Sequence, residues 1–145
     1  MVAGYCWDWN SRKNSHQKDI VIGDDFAYKW NLSNDDTWSI SKGSVDQIGC
    51  IHTCQGLAFE YVGVIIGEDL VYRDGIIKVN PSKRSSNDRS IWGWKKMEQE
   101  DRESTHDKLR ALIKNTYRTL MTRGMKGCYV YVCDEELRNY IKQWI

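Results

Sequence analysis

Residues 61–66 read YVGVII, a run rich in β-branched residues that is apolar at both alternating sets of positions. A strand with one face in solvent alternates between apolar and polar residues, whereas a strand buried on both faces is apolar throughout. We therefore expect this run to form a central strand of a parallel sheet, and the segments on either side of it to complete that sheet.

Four further segments predict strands around this centre. Residues 70–73 (LVYR) and 76–79 (IIKV) flank Asp74-Gly75, which is the strongest short signal for a β-hairpin. Residues 129–132 (YVYV) predict another buried strand, and residues 2–7 (VAGYCW) predict one at the start of the chain. Because strand-like sequence begins at the second residue, we expect the chain to be a fragment of a longer protein.

Two helices are expected toward the end of the chain. An apolar face at 3.6-residue spacing runs from Leu109 to Met121, with Ser104 and Asp107 as its expected capping box. A last helix is expected to begin at Asp134. Residues 80–103 are polar and charged, and we expect them to form a flexible insertion. Residues 1–145 are thus predicted to be a single α/β domain, with a mostly parallel sheet flanked by helices and an inserted hairpin.

Composition excludes several classes of protein. The 145 residues are 41% hydrophobic and carry a net charge of +1, so no overall field favours nucleic acid and any such binding must come from a local patch. No apolar run approaches the roughly 18 residues of a membrane span. The five cysteines are odd in number and lack CxxC spacing, which argues against a disulfide framework or a zinc site. We expect a reducing, cytoplasmic compartment and no membrane association.

Two stretches carry candidate chemistry. In the first, HTCQGLAFEYVGVIIG (residues 52–67), polar residues and a glycine turn precede the central strand, so backbone N–H groups there are suited to phosphate oxygens. In the second, NTYRTLMTRGMKGCYVYV (residues 115–132), a helix ends at Arg123 just before a buried strand. A guanidinium fixed there can bind two phosphate oxygens, although a surface salt bridge or a helix C-cap is the alternative.

The pairing of these two stretches resembles motifs V and VI of superfamily 1 helicases, and more closely the Schlafen group 3 DNA/RNA helicase domain. The segments AGYCWDW (residues 3–9), EDLVYRDG (68–75) and NPSKR (80–84) are similar to that family too. The resemblance implies a second, C-terminal RecA-like domain, with ATP held between it and an N-terminal RecA-like domain of the same protein. That first domain would bind most of the ATP and Mg²⁺, because this chain contains no GxxxxGK[ST] sequence.

The resemblance also implies roles for individual residues. Arg123 would be the catalytic arginine finger that reaches the γ-phosphate, and Gln55 and Gly56 would line the nucleotide side of the cleft. His52 and Thr53 match positions that contact single-stranded DNA or RNA. Where this chain has Ala58 the family usually has Glu, a carboxylate that contacts the nucleotide sugar in related helicases.

Alternatives stay open for several of these residues. Cys54 lies two positions from His52, but the absence of an orienting Asn or Asp favours a buried structural thiol over a nucleophile. Trp92 and Trp94 lie near Lys83 and Arg84, the two candidate nucleic-acid contacts of this region, and could form a stacking surface. Because residues 80–110 carry eight basic and six acidic side chains, the sequence favours a solvated loop there.

For the whole domain, the resemblance implies the C-terminal motor domain of an ATP-dependent DNA or RNA helicase or translocase. The alternative is a non-catalytic nucleic-acid-binding or scaffold module whose motor site has decayed.

Overall fold

The computed structural model describes residues 1–30 and 38–145 of the chain. Eight strands are present in this part: β1 (Val2–Ala3), β2 (Ile20–Ile22), β3 (Phe26–Trp30), β4 (Gln47–Ile48), β5 (Phe59–Ile66), β6 (Leu70–Arg73), β7 (Ile76–Val79) and β8 (Gly124–Val132). Three α-helices accompany them: α1 (Trp94–Glu100), α2 (Arg102–Met121) and α3 (Glu135–Ile141). The protein is thus a mixed α/β structure, as the sequence predicts.

The central sheet has three parallel strands in the order β1-β5-β8. β5 lies in the middle, and its residues Val62, Val64, Ile65 and Ile66 are each at most 5% exposed. Val64 pairs with Val2 of β1 on one side and with Val130 of β8 on the other. The prediction of a central parallel strand over residues 61–66 is confirmed, and the strand begins two residues earlier.

A second three-stranded sheet, in the order β2-β3-β4, lies beside β1. It joins the central sheet through a parallel bridge between Gly49 and Val2. Ile20, Trp30 and Ile48 from this sheet pack with Ala3 and Ile65 in one hydrophobic cluster. Residues 23–44 are largely polar, with turn signals at Asn34-Asp35-Asp36 and Lys42-Gly43-Ser44, and they predict no strand, so β3 is a correction. The first of these two turns lies outside the described residues.

The inserted hairpin is confirmed. β6 and β7 are antiparallel, and the turn between them places Asp74 at φ 55° and Gly75 at φ 78°. Both residues are in the left-handed region, which is the requirement of the tight hairpin turn that Asp-Gly favours.

The long helix α2 covers one face of the central sheet. Its residues Ile113, Tyr117 and Leu120 are buried against a cluster that includes Val62 and Val64 of β5. The helix begins earlier than the sequence predicts, because the side chain of Asp101, and not that of Ser104, caps it by accepting a hydrogen bond from the backbone N–H of Ser104. Helix α3 begins as predicted, with Asp134 as its N-cap.

Residues 80–103 differ from the loop that the sequence predicts. Two short 3₁₀ turns, Pro81–Lys83 and Arg89–Ile91, precede α1. Ile91 is 5% exposed, and the backbone N–H of Ser85 donates to the carbonyl of Tyr5. The segment is therefore packed onto the residues that follow β1, which charge counting alone does not reveal.

Among the described residues, no helix combines the length and apolar character that crossing a membrane requires.

Candidate functional site

Both candidate stretches converge at the end of the central sheet where β5 and β8 begin. Phe59 of β5 pairs with Gly124 of β8, and the backbone N–H of Phe59 donates to the carbonyl of Arg123 over 2.8 Å. The turn of residues 50–57 leads into β5, and the C-terminus of α2 leads into β8. The structure therefore brings Arg123 next to the turn that carries Gln55 and Gly56, although the two stretches are more than 60 positions apart in sequence.

The side chain of Arg123 is partly buried and is held by carbonyl oxygens. Its Nε donates to the carbonyl of Thr119 over 3.2 Å, and its Nη1 lies 3.4 Å from the carbonyl of Leu57. Across residues 1–30 and 38–145, no Asp or Glu lies within ion-pairing distance of this guanidinium. The helix-capping contact that the sequence left open is present, whereas the salt bridge is not found among these residues.

Among the described residues, Arg123 shares this lack of a counter-charge with Arg138, whose Nε and Nη2 donate to the carbonyls of Val132 and Cys133, and differs in it from Arg73 and Arg84. Arg73 lies 2.6 Å from Asp134, and Arg84 lies 2.8 Å from Asp69. A guanidinium positioned by neutral acceptors keeps its full charge available for an added anion.

The turn before β5 presents both of its predicted nucleotide-lining residues to solvent. Gln55 and Gly56 are exposed, and Gly56 has φ +77° with no heavy atom within 4 Å of where a Cβ would be. The backbone there is thus open to a ligand. Ala58 is exposed also and supplies no carboxylate at this position.

His52 and Thr53 occupy different environments in the same turn. His52 is exposed, whereas the hydroxyl of Thr53 accepts from the backbone N–H of Cys50 and donates to the Cys50 carbonyl, over 2.8 and 3.0 Å. The Thr53 hydroxyl therefore holds the turn together in this conformation. The exposed side chain of His52 is accessible to a ligand.

Cys54 is buried and lies below this turn. Its Sγ donates to the carbonyl of Cys50 over 3.1 Å, and burial raises the pKa of its thiol to about 11. A thiol with that pKa is protonated near neutral pH, which agrees with a structural cysteine and not with a nucleophile.

Lys83 and Arg84 lie at the other end of the central sheet. Lys83 is exposed and lies 2.6 Å from Glu68, which follows the carboxyl end of β5. Arg84 is buried, and its Nε and Nη1 contact Asp88 and Asp69 respectively. Because the Arg84 guanidinium is buried between two carboxylates, it is not available in this conformation for the nucleic-acid contact expected from the sequence.

These two carboxylates belong to a buried polar network that the sequence pattern does not reveal. The hydroxyl of Tyr117 donates to Asp69 over 2.5 Å and accepts from the backbone N–H of Gly67 over 3.0 Å. Asp69 and Tyr117 are 0% and 1% exposed. The network ties α2 to the start of the hairpin and, through Arg84, to residues 81–91.

Comparison with known proteins assigns the chain to a family. The family model for the Schlafen group 3 DNA/RNA helicase domain matches residues 1–134. The chain belongs to this family. The segments that form the network, residues 68–75 and 80–84, are among those whose resemblance to the family the sequence already suggests.

One relative is an uncharacterized protein of Saccharomyces cerevisiae, YPL245W. It is 30% identical to the chain over 138 residues, which is 92% of the chain and 29% of the yeast protein. The chain thus spans less than a third of that relative's length. No solved structure matches the chain.

A metal site is not suggested by the described residues, since no group of three or more His, Cys, Asp or Glu side chains there is arranged to hold an ion.

Proposed function

We propose that the chain is the second, C-terminal RecA-like motor domain of a superfamily 1-type, ATP-dependent DNA or RNA helicase or translocase. The observation that carries the proposal is the guanidinium of Arg123, which is fixed by two carbonyl oxygens, has no carboxylate partner in the described residues and adjoins the turn of Gln55 and Gly56. The Schlafen group 3 helicase-domain family, to which the chain belongs, supports the same assignment.

In this proposal the nucleotide lies between this domain and an N-terminal RecA-like domain of the same protein. That domain supplies the P-loop and the Mg²⁺ ligands, so this chain is inactive alone. The donors present here fit a phosphate group: a planar cation, an exposed amide at Gln55 and the accessible backbone at Gly56. ATP, when bound, supplies the free energy of phosphoanhydride hydrolysis.

Arg123 has the role of an arginine finger in this scheme. Its guanidinium stabilises charge on the phosphate oxygens, and its anchoring through Thr119 and Leu57 keeps it in place before the nucleotide arrives. Fingers of this type are worth about 10³–10⁵ in rate in GTPases. His52, exposed on the same turn, is proposed to contact the nucleic-acid backbone and to link strand binding to the nucleotide site.

The test is ATP hydrolysis by a longer protein that joins this chain to its P-loop domain, measured with and without single-stranded DNA or RNA. Arg123→Ala is expected to abolish the stimulated rate. Arg118→Ala is the matched control, because Arg118 is an exposed arginine in the last turn of α2, five residues before Arg123. Equal rates for Arg123→Ala and wild type would refute the proposed mechanism.

A second candidate function is favoured by Ala58, which departs from the usual Glu. In this alternative the chain is a non-catalytic nucleic-acid-binding or scaffold module with a decayed motor site. It predicts single-strand binding that depends steeply on salt and is unaffected by nucleotide. Restoring the carboxylate with Ala58→Glu then leaves ATP hydrolysis absent, whereas the motor proposal predicts that this variant lowers the KM for ATP.

A further inference from the structure

Residues 81–96 form a small surface that the proposed nucleotide site does not use. The segment carries Lys83, Arg84, Arg89, Lys95 and Lys96 against the single acid Asp88. It frames a groove of about 380 Å³ whose lining includes Pro81, Ser86, Trp92, Trp94 and Lys95. The exposed side chains of Arg89, Trp92, Lys95 and Lys96 are called the Trp92 platform below.

The backbone beneath the Trp92 platform is held in place by a buried arginine and two carboxylates. Arg84 bridges Asp69 and Asp88 in the interior, over 2.8 and 2.5 Å. Asp88 in turn accepts hydrogen bonds from the backbone N–H and the hydroxyl of Ser90, which fixes the 3₁₀ turn before Trp92. The buried Arg84 thus orders the platform from below, which is a different role from the phosphate contact expected from the sequence.

Trp92 is an exposed aromatic ring with a fixed orientation. The side chain is 61% exposed, yet its Nε1 donates to the carbonyl of Ser86 over 3.1 Å. The guanidinium of Arg89 lies over the ring, 5.4 Å from its centroid. An exposed indole held by a hydrogen bond loses little conformational freedom when another flat group stacks on it.

The cations of the platform have no acidic partners in the part of the chain that the structure describes. Arg89, Lys95 and Lys96 are exposed, and none of them lies within ion-pairing distance of a carboxylate there. The nearest acids in sequence are engaged elsewhere: Asp88 pairs with Arg84, and Glu98 pairs with His106. The surface therefore combines a flat aromatic ring with local positive charge.

The platform lies at the opposite end of the central sheet from Arg123. Its segment is fixed to the residues after β1 by the Ser85–Tyr5 hydrogen bond, and to the residues after β5 by the Lys83–Glu68 pair. The eight residues of β5 separate the two ends by roughly 25 Å. A ligand on the platform is thus distinct from a nucleotide beside Arg123.

We propose that the Trp92 platform binds single-stranded nucleic acid, with one base stacked on the indole of Trp92 and the adjoining phosphates contacted by Arg89, Lys95 and Lys96. Stacking on aromatic rings next to a positively charged track is the general chemistry of sequence-independent single-strand binding. The inference rests on the proposed function, since nucleic acid is the substrate there. It adds a second contact for the strand, at the opposite end of the sheet from His52, and names the residue that stacks on its bases.

The experiment measures fluorescence anisotropy of labelled 12-nucleotide oligo(dT) and oligo(U) titrated with the whole chain. Trp92→Ala is expected to weaken binding about 5- to 100-fold, and Trp92→Phe to retain most of the affinity. Trp144→Ala is the matched control, because Trp144 is 74% exposed and lies outside the platform. Both substitutions are at the surface, so circular dichroism should show both variants folded.

Two further measurements distinguish the contribution of base stacking to affinity from that of charge. A 12-nucleotide abasic strand is expected to bind wild type as weakly as oligo(dT) binds Trp92→Ala. Lys95→Ala combined with Lys96→Ala is expected to lower the slope of log affinity against log salt by about 0.7 for each phosphate that the double variant no longer neutralises. The preference for strands with bases should survive in that double variant.

Three results would overturn the inference: no binding by wild type, equal affinity of Trp92→Ala and wild type, or equal affinity for abasic and base-containing strands. The last result would mean that the surface binds any polyanion, such as an acidic peptide, through charge alone. Arg123→Ala in the ATP hydrolysis assay reports on the proposed function independently, so a failure of either idea is seen separately.

Discussion

The hydroxyl of Tyr117 donates to Oδ1 of Asp69 over 2.5 Å in the interior of the protein. Tyr117 lies on α2, six residues before Arg123, and Asp69 lies between the central strand and the hairpin. Asp69 is also paired with Arg84, which supports the segment carrying Trp92. The two proposed binding surfaces, at opposite ends of the sheet, are therefore connected through one buried carboxylate.

Removing the Tyr117 hydroxyl tests how much this connection contributes to the free energy of unfolding. Tyr117→Phe leaves an oxygen of Asp69 and the N–H of Gly67 without their buried partner, so we expect the free energy of unfolding to fall by about 1–3 kcal/mol. Urea denaturation measures this loss. Tyr129→Phe is the control, because Tyr129 is 72% exposed and should remain within about 0.5 kcal/mol of wild type. Equal stability of the two variants would contradict the account of the network.

Neutralising Asp69 should cost more than removing the hydroxyl. Asp69→Asn leaves the buried Arg84 with one carboxylate instead of two, and removing one partner of a buried ion pair destabilises by about 3–5 kcal/mol. Thermal unfolding and urea denaturation both measure the change. Asp74→Asn removes the carboxylate of an exposed pair with Lys78 and is expected to have little effect. A small effect at Asp69 would mean that the pair is not important for stability.

The lowered pKa of the Asp134 carboxyl group predicts that this residue contributes to unfolding at acidic pH. Burial alone would raise its pKa, but hydrogen bonds from Arg73 and from the backbone N–H groups of Leu137 and Tyr72 hold the pKa below the ordinary value. A carboxyl with a lowered pKa in the folded state stabilises the protein above its unfolded pKa, near 4, and loses that contribution as the pH falls through the folded pKa.

The pH dependence of wild type is compared with that of Asp134→Asn. The asparagine side chain can still cap α3, but it has no carboxyl group to titrate. We expect its unfolding free energy to depend less on pH below about pH 4 than that of wild type. Urea denaturation at a series of acidic pH values gives both curves. Parallel curves would show that Asp134 does not contribute to acid unfolding.

Cysteine alkylation tests the structural role of Cys54. A buried thiol with its pKa raised to about 11 should react with iodoacetamide near pH 8 only after unfolding in urea. Mass spectrometry of alkylated peptides, compared with the partly exposed Cys128, gives the measurement. Rapid labelling of Cys54 in the folded protein would reopen the nucleophile interpretation.

Local sequence patterns predict the central strand and the hairpin, but the buried strand predicted over residues 129–132 is wrong in its burial, since Tyr129 and Tyr131 of β8 are 72% and 43% exposed. The apolar pattern of β5 and the Asp74-Gly75 turn signal are each contained within a few consecutive residues. The sequence therefore predicts both elements with nearly correct bounds. The sequence predicts no strand at β3, even though Phe26, Tyr28 and Trp30 alternate with less apolar residues, a period-two signal typical of a half-buried strand. This alternation is difficult to recognise because the residues on both sides of β3 are polar.

The contacts that could not be predicted join residues far apart in the chain. The sequence predicts Arg84 as a nucleic-acid contact, but in the structure it is buried against Asp69, which lies 15 positions earlier, and Asp69 is held in turn by Tyr117 on α2. A single sequence contains no local signal for such pairs. The proximity of Arg123 to the turn at Gln55 was implied by the family resemblance, and its two carbonyl partners required coordinates.

The most direct test of the central claim is the kcat of nucleic-acid-stimulated ATP hydrolysis by Arg123→Ala, in a longer protein that includes the P-loop domain. We predict that kcat falls by about 10³–10⁵ while the KM for ATP changes little, because Arg123 acts chiefly on the transition state. Arg118→Ala should match wild type in the same assay. An unchanged kcat in Arg123→Ala would contradict the claim that Arg123 is the finger of a motor.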